Sequence, residues 1–206
     1  MYNDILRVSR RNTRVIGKMA AVAFNPPLWA IACYRLGHLL WRNGVFLVPR
    51  LLSVLARIVS GVEIAPSAEI GPGLLIVHGS GITIEGDVEI GPGVTLYQGV
   101  GLGQRFSSTA PDGVPAIGQD VTIYAGAKIL GPIRLGDRCC VGANAVVTRS
   151  FLDDTTVAGI PARAIGEYVR PSTTIGVGRE LRVRPLRREQ PAPAQAYSSS
   201  GTTSAE

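Results

Sequence analysis

Histidine is nearly missing from this chain of 206 residues, which has only His38 and His78. A zinc hydratase needs three imidazoles per metal site, so that chemistry is not expected here. Cysteine is scarce too. Three residues, two of them adjacent at Cys139-Cys140, form neither a disulfide framework nor a CxxC pair. Such usage fits a reducing, cytoplasmic setting, with Cys139 read as a small core residue. Aromatic residues make up 6% of the chain against 46% hydrophobic, which calls for an interior wide enough for Ile and Val but too narrow for rings. Long apolar runs are lacking as well. Asn25-Pro26-Pro27 breaks the stretch after Lys18, against a signal peptide, and Pro49, Arg50 and Arg57 interrupt Val45–Val59, against a membrane span.

The net charge of +6 belongs to the ends. Residues 1–18 carry +4, residues 19–166 carry zero and residues 167–206 carry +2. With a neutral body, an extended basic groove for nucleic acid is not expected. The basic N-terminal arm, residues 1–18, suits solvent and is the segment fit for weak contact with a membrane surface or an acidic partner.

What the chain does have is a beat of aliphatic residues every six positions. Ile64, Ile70, Ile76, Ile82, Val88, Val94 and Val100 keep it, and after an interruption Ile117, Ile123, Ile129, Leu135, Val141 and Val147 resume it. Neither a helix (period 3.6) nor an ordinary strand (period 2) spaces apolar residues this way. Six residues that make one short strand and one turn do so, three such hexads closing one coil of a parallel β-helix. The positions four after the beat (Val121, Ala127, Ile133, Cys139, Ala145) are small or aliphatic, as a narrow interior requires.

The expected organisation follows. A helical cap occupies 19–60. Its first helix starts at the Pro-Pro signal, uses Leu28, Ile31, Leu36, Leu39 and Leu40, and stops at Asn43-Gly44. Its second follows Pro49 and packs Leu51, Leu52, Leu55, Ile58 and Val59 on the first coil, with Arg50 and Arg57 opposite. The β-helix spans 61–166, with 101–116 extruded as a loop. The tail, 167–206, keeps no apolar period and is expected to be disordered.

Of the two histidines, His38 lies within a helical pattern and reads as a helix-surface or packing residue. His78, in Ile76-Val77-His78-Gly79-Ser80-Gly81, falls at an outward slot where Gly and Ser leave room for a ligand to approach. Gly99-x-Gly101-x-Gly103 lacks the spacing and the following helix of a dinucleotide fingerprint.

From about Leu28 to Gly166 the sequence resembles the serine acetyltransferase family of hexapeptide acyltransferases. The matching stretches are Tyr34-Arg35-Leu36-Gly37-His38, Gly61-Val62-Glu63-Ile64, His78-Gly79-Ser80-Gly81, Gln98-Gly99-Val100, Ala125-Gly126-Ala127-Lys128-Ile129-Leu130-Gly131 and Ala158-Gly159-Ile160-Pro161-Ala162-Arg163. The resemblance implies a left-handed parallel β-helix that forms a homotrimer, with acetyl-CoA as co-substrate and no metal. His78 would take the proton from an acceptor hydroxyl and Glu63 would orient it. Ala125, Gly126, Ala127, Lys128, Gly142, Ala143 and Arg163 would line the cofactor.

The acceptor positions depart from the family pattern. Ala65, Val77, Gly113 and Val114 stand where the family places the polar groups that hold serine, and Arg105 in the loop is the available replacement. Arg105, Val77 and Val114 would then line a site for a less charged acceptor, a sugar or polysaccharide hydroxyl. Serine itself is the alternative, and a catalytically silent binding scaffold is a third.

Overall fold

The computed structural model describes residues 3–4, 24–105, 112–168 and 183–185. Two helices lead into the repeats. Helix α1 (Pro26–Arg42) begins where the Asn25 side chain accepts a hydrogen bond from Leu28 N at 3.1 Å, with proline in the first turn where no N–H is needed. Helix α2 (Leu47–Ser60) ends at Gly61, whose φ of 70° suits glycine and whose N–H closes on Arg57 O.

Five coils follow. The first holds β1 (Val62–Ile64), β2 (Glu69–Ile70) and β3 (Leu75–Val77); the second holds β4 (Ile82–Ile84), β5 (Glu89–Ile90) and β6 (Thr95–Tyr97). The third holds β7 (Gly101–Gly103), β8 (Ala116–Ile117) and β9 (Thr122–Ile123); the fourth holds β10 (Lys128–Leu130), β11 (Arg134–Leu135) and β12 (Cys140–Val141). The last consists of β13 (Val146–Val147), a bridge at Phe151 and β14 (Thr155–Ala158). Strands at equivalent places pair in parallel, giving a first face β1-β4-β7-β10-β13, a second β2-β5-β8-β11 and a third β3-β6-β9-β12-β14. Strand β15 (Arg163–Tyr168) then folds back antiparallel on β14, and β16 (Val183–Pro185) pairs antiparallel with β15. The protein is a parallel β-helix.

Along the first face, alternate positions of the coils point inward and are aliphatic. Val62 and Ile64, Ile82 and Ile84, and Val100 and Leu102 are buried in this way. The unbroken beat conceals a change of phase. Ile76 pairs with Leu96, and Ile64 with Ile84, which in turn pairs with Leu102. The chain therefore takes eight residues from Ile76 to Ile84 but six from Leu96 to Leu102 and six from Ile123 to Ile129. The two extra residues fall in the corner that begins at His78.

The Tyr-Arg-x-x-His stretch of α1 latches the cap to the first coil. Tyr34 Oη donates to Ala68 O (2.6 Å) and accepts from Ile70 N (3.2 Å). The Arg35 guanidinium donates to Ile70 O and Gly71 O, and His38 Nδ1 donates to Pro66 O at 2.9 Å. Arg35 also meets Asp4, a buried carboxylate that accepts from Gly73 N at 2.7 Å. His38 is thus a packing residue, as its helical context suggested. Replacing Tyr34 with Phe leaves one buried carbonyl and one buried N–H without this partner. The expected loss is about 1–3 kcal/mol, measured as a lower denaturation midpoint at unchanged slope.

Several expectations need correction. Leu51, Leu55, Ile58 and Val59 of α2 face outward, Ile58 at 76% exposure, and it is Pro49 and Ala56 that are buried. In α1, Leu36 and Leu39 are exposed while Ala30, Ile31 and Tyr34 pack inward. A close approach explains this choice: the residues that let the helices lie near each other and the coil are small, as where Gly37 meets Pro49. The extruded segment is shorter than 101–116, because Gly101–Gly103 is strand β7, paired with β4 and β10. Leu102 points inward and the two glycines leave its outer side bare. Lys128 lies across Gly101 and the Glu85 carboxylate across Gly103. The expected tail contains the end of β15 and all of β16; the rest of it, and most of the basic arm, lie outside the described residues.

Candidate active site

His78 leaves β3 at the corner between the third and first faces. Its φ is 56°, a left-handed conformation that a residue with a side chain adopts at a cost of roughly 1–2 kcal/mol, and the imidazole is exposed. The corner is held from three sides. Ser80 N–H donates to His78 O (2.6 Å), Gly81 N–H to Gly61 O (2.9 Å) and Gly99 N–H to Ser80 O (2.9 Å). Gly79 packs so closely that a Cβ there would sit 2.7 Å from Val62 Cγ2 and 2.8 Å from Pro27 Cγ. The N-terminus of α1 therefore buttresses the turn that presents His78, and only glycine fits. Two of the turn's amides, those of Ser80 and Gly81, are already bonded within the fold and are not free to receive an oxyanion.

Glu63 sits mid-strand in β1 between two inward residues, so its side chain stands on the outer side of the first face. Its carboxylate meets Arg57 Nη1 at 3.3 Å. Among the described residues no hydrogen bond joins Glu63 to His78, although Gly61 and Val62, directly before Glu63, touch the His78 corner.

The same edge continues down the solenoid as a track of small residues. Below the His78 corner, Gly126 N–H donates to Gln98 O (2.9 Å) and Asn144 N–H to Ala125 O (2.8 Å), each coil seated on the last. Three steps at about 4.8 Å carry the track about 14 Å from His78 to Ala143. Ala125, Gly126 and Gly142 are half-buried on it, Ala143 is exposed, and Arg163 follows in β15, also exposed. Lys128 lies on the adjoining first face with Nζ donating to Gly99 O at 2.6 Å. Sequence reasoning placed these residues together and the fold does so. Ala127 is the exception. It fills an inward slot at 0% exposure, with its carbonyl accepting from Gly101 N, and cannot touch a ligand through its side chain.

The expected acceptor residues do not converge in one chain. Val77 is 5% exposed, paired in register with Tyr97, which stacks on Tyr124. Val114 packs against the core where the loop returns. Val77 is thus covered within the single chain, and Val114 partly so. Arg105 leaves the far end of β7 and packs over Gly131 with a buried Nε that has no partner among the described residues, at the edge of the first face opposite His78. Sequence reasoning missed Gln98, next below His78 on the track, and assigned no site role to Arg57, the partner of Glu63. For Gln98 the pairing register was the signal; for Arg57 there was none without the turn at Gly61.

Burial pushes the Cys139 thiol up to about 11 and the Cys140 thiol up to about 12. Both stay protonated near neutrality. No group of three or more His, Cys, Asp or Glu among the described residues is placed to hold a metal ion. No described helix is long and apolar enough to cross a membrane.

Residues 115–149 match the bacterial transferase hexapeptide (six repeats) family model. A serine acetyltransferase of Helicobacter pylori is 40% identical over 161 residues, covering 77% of this chain and 92% of that protein. One from Synechococcus elongatus is 40% identical over 140 residues, 68% of this chain; the chain spans 57% of that relative's length. Among solved structures, a serine acetyltransferase of Brucella abortus in complex with coenzyme A aligns with a TM-score of 0.72 at 34% identity, over 81% of this chain and 66% of that one. The hexad solenoid, the outward histidine at its lengthened corner and these likenesses converge: the chain belongs to the serine acetyltransferase family.

Proposed function

We propose that the protein transfers the acetyl group of acetyl-CoA to the hydroxyl of serine. The observation that carries this reading is the lengthened corner that holds His78 outward at the head of a small-residue track. Imidazole suits a general base at neutral pH, because an alcohol is a poor nucleophile until its proton is taken. His78 accepts the proton of the serine hydroxyl as the oxygen attacks the thioester carbonyl carbon. The tetrahedral intermediate collapses with cleavage of the C–S bond, and the imidazolium returns its proton to the departing sulfur, giving O-acetylserine and CoA. Glu63 orients the ring and offsets the imidazolium charge. The thioester cofactor extends from His78 along Gln98, Ala125, Gly126, Gly142 and Ala143, with Lys128 and Arg163 beside it; small side chains there let an extended ligand lie against the backbone.

Serine replaces the sugar hydroxyl that the sequence suggested. Of the four departures behind that expectation Val77 is covered and Val114 partly so, and the relatives are named for serine. An assembly completes the site. His78 and the segment carrying Arg105 lie at opposite edges of one face, and in the assembly proposed here a neighbouring subunit brings its loop to the histidine. The exposed apolar side of α2 supplies the contact surface, and a homotrimer is the assembly we assign.

Competition tests the acceptor. Isotopically labelled acetyl-CoA offered to serine, nucleotide sugars and oligosaccharides together should label serine. Label on a sugar with none on serine would restore the first expectation.

A further inference from the structure

Helix α2 reaches the active-site face through one side. Ser53, Ala56, Arg57 and Ser60 recur at the three- and four-residue spacing that aligns side chains on a helix. Ser53 Oγ donates to Ile64 O at 2.7 Å, and Ser60 Oγ accepts from Val62 N at 3.2 Å. The residues on either side of Glu63 are thus bonded to α2, and between these two anchors Arg57 Nη1 lies 3.3 Å from the Glu63 carboxylate. The αL turn at Gly61 makes the contact: its N–H closes on Arg57 O and its own carbonyl accepts from Gly81 in the His78 corner. Arg57 and Glu63 are 65% and 43% exposed, so the pair adds little to stability. Its effect is to restrict where a long carboxylate side chain points.

We propose that Arg57 is a positioning residue: it fixes the Glu63 carboxylate so that Glu63 can serve His78 when both substrates are bound. This rests on the assignment of His78 and Glu63 made above. The guanidinium is well suited to the task because it stays charged and presents several donors in a fixed plane. Arg57 would thus act on the imidazole through Glu63, with His78 alone touching reacting atoms.

The test is steady-state kinetics on the full chain, with melting temperature recorded for each variant. Arg57→Ala should lower kcat by roughly tenfold, with both KM values within about twofold and an unchanged melting temperature; Arg57→Lys should recover most of the loss. In a Glu63→Gln background, Arg57→Ala should cost nothing further, because the two act as one unit. A kcat kept or raised in Arg57→Ala, or a further loss in the Glu63→Gln background, overturns the inference while the catalytic reading stands. A wild-type protein that releases no CoA in the presence of serine overturns both.

Discussion

Replacing His78 with Ala should lower kcat by roughly 10²–10⁴, the range for a lost general base, with no loss of stability. Stability should hold, because the imidazole is exposed and makes no side-chain hydrogen bond among the described residues, and alanine meets the same φ of 56°. His78→Asn is the useful companion, since Asn tolerates the left-handed conformation while lacking a titrating nitrogen. It should fold as the parent does and be as inactive as the alanine variant. Thiol release from acetyl-CoA and a thermal melt on the same samples separate the effects. Near-parental turnover in either variant would remove His78 from the chemistry.

The second large effect concerns α2. Leu47, Leu51, Val54, Leu55 and Ile58 are each more than half exposed in the single chain, an apolar stripe of a size that soluble surfaces rarely leave in water. Burying a leucine or isoleucine side chain contributes roughly 1.5–3 kcal/mol, and three subunits repeat each contact. The double substitution Leu55→Asp with Ile58→Asp should dissociate the assembly, so that light scattering gives the mass of one chain. Activity should disappear with it, because His78 and the loop no longer meet, while the circular dichroism of the solenoid persists. A double variant that remains trimeric and active would show that this stripe lies outside the interface.

The solenoid could be read from the sequence because its interior admits one kind of side chain at fixed intervals. The phase change at His78 could not, since both inward slots along the first face are aliphatic and the beat passes from one to the other without a gap. Strand β7 escaped notice because Gly101 and Gly103 look like a loop, and only the long side chains of Glu85 and Lys128 laid across them show why glycine is needed. The direction of α2 was hidden for a related reason. Hydrophobic periodicity identifies an apolar side but not which neighbour it meets, and here the small residues Pro49 and Ala56 face the body. At the site, His78 was marked by its Gly-Ser surroundings and, above all, by the family resemblance of the stretch that carries it. The contact of Arg57 with Glu63 depends on a left-handed turn at Gly61, which spacing alone does not reveal.

The most direct test is the initial rate of CoA thiol release by the wild-type protein as serine is varied at saturating acetyl-CoA, with O-acetylserine quantified in the same reaction. The account predicts a saturable rate, a serine KM within the ordinary enzyme range of roughly 1 μM–1 mM, and one O-acetylserine formed per CoA released. A rate that does not depend on serine, or CoA release without O-acetylserine, would contradict it.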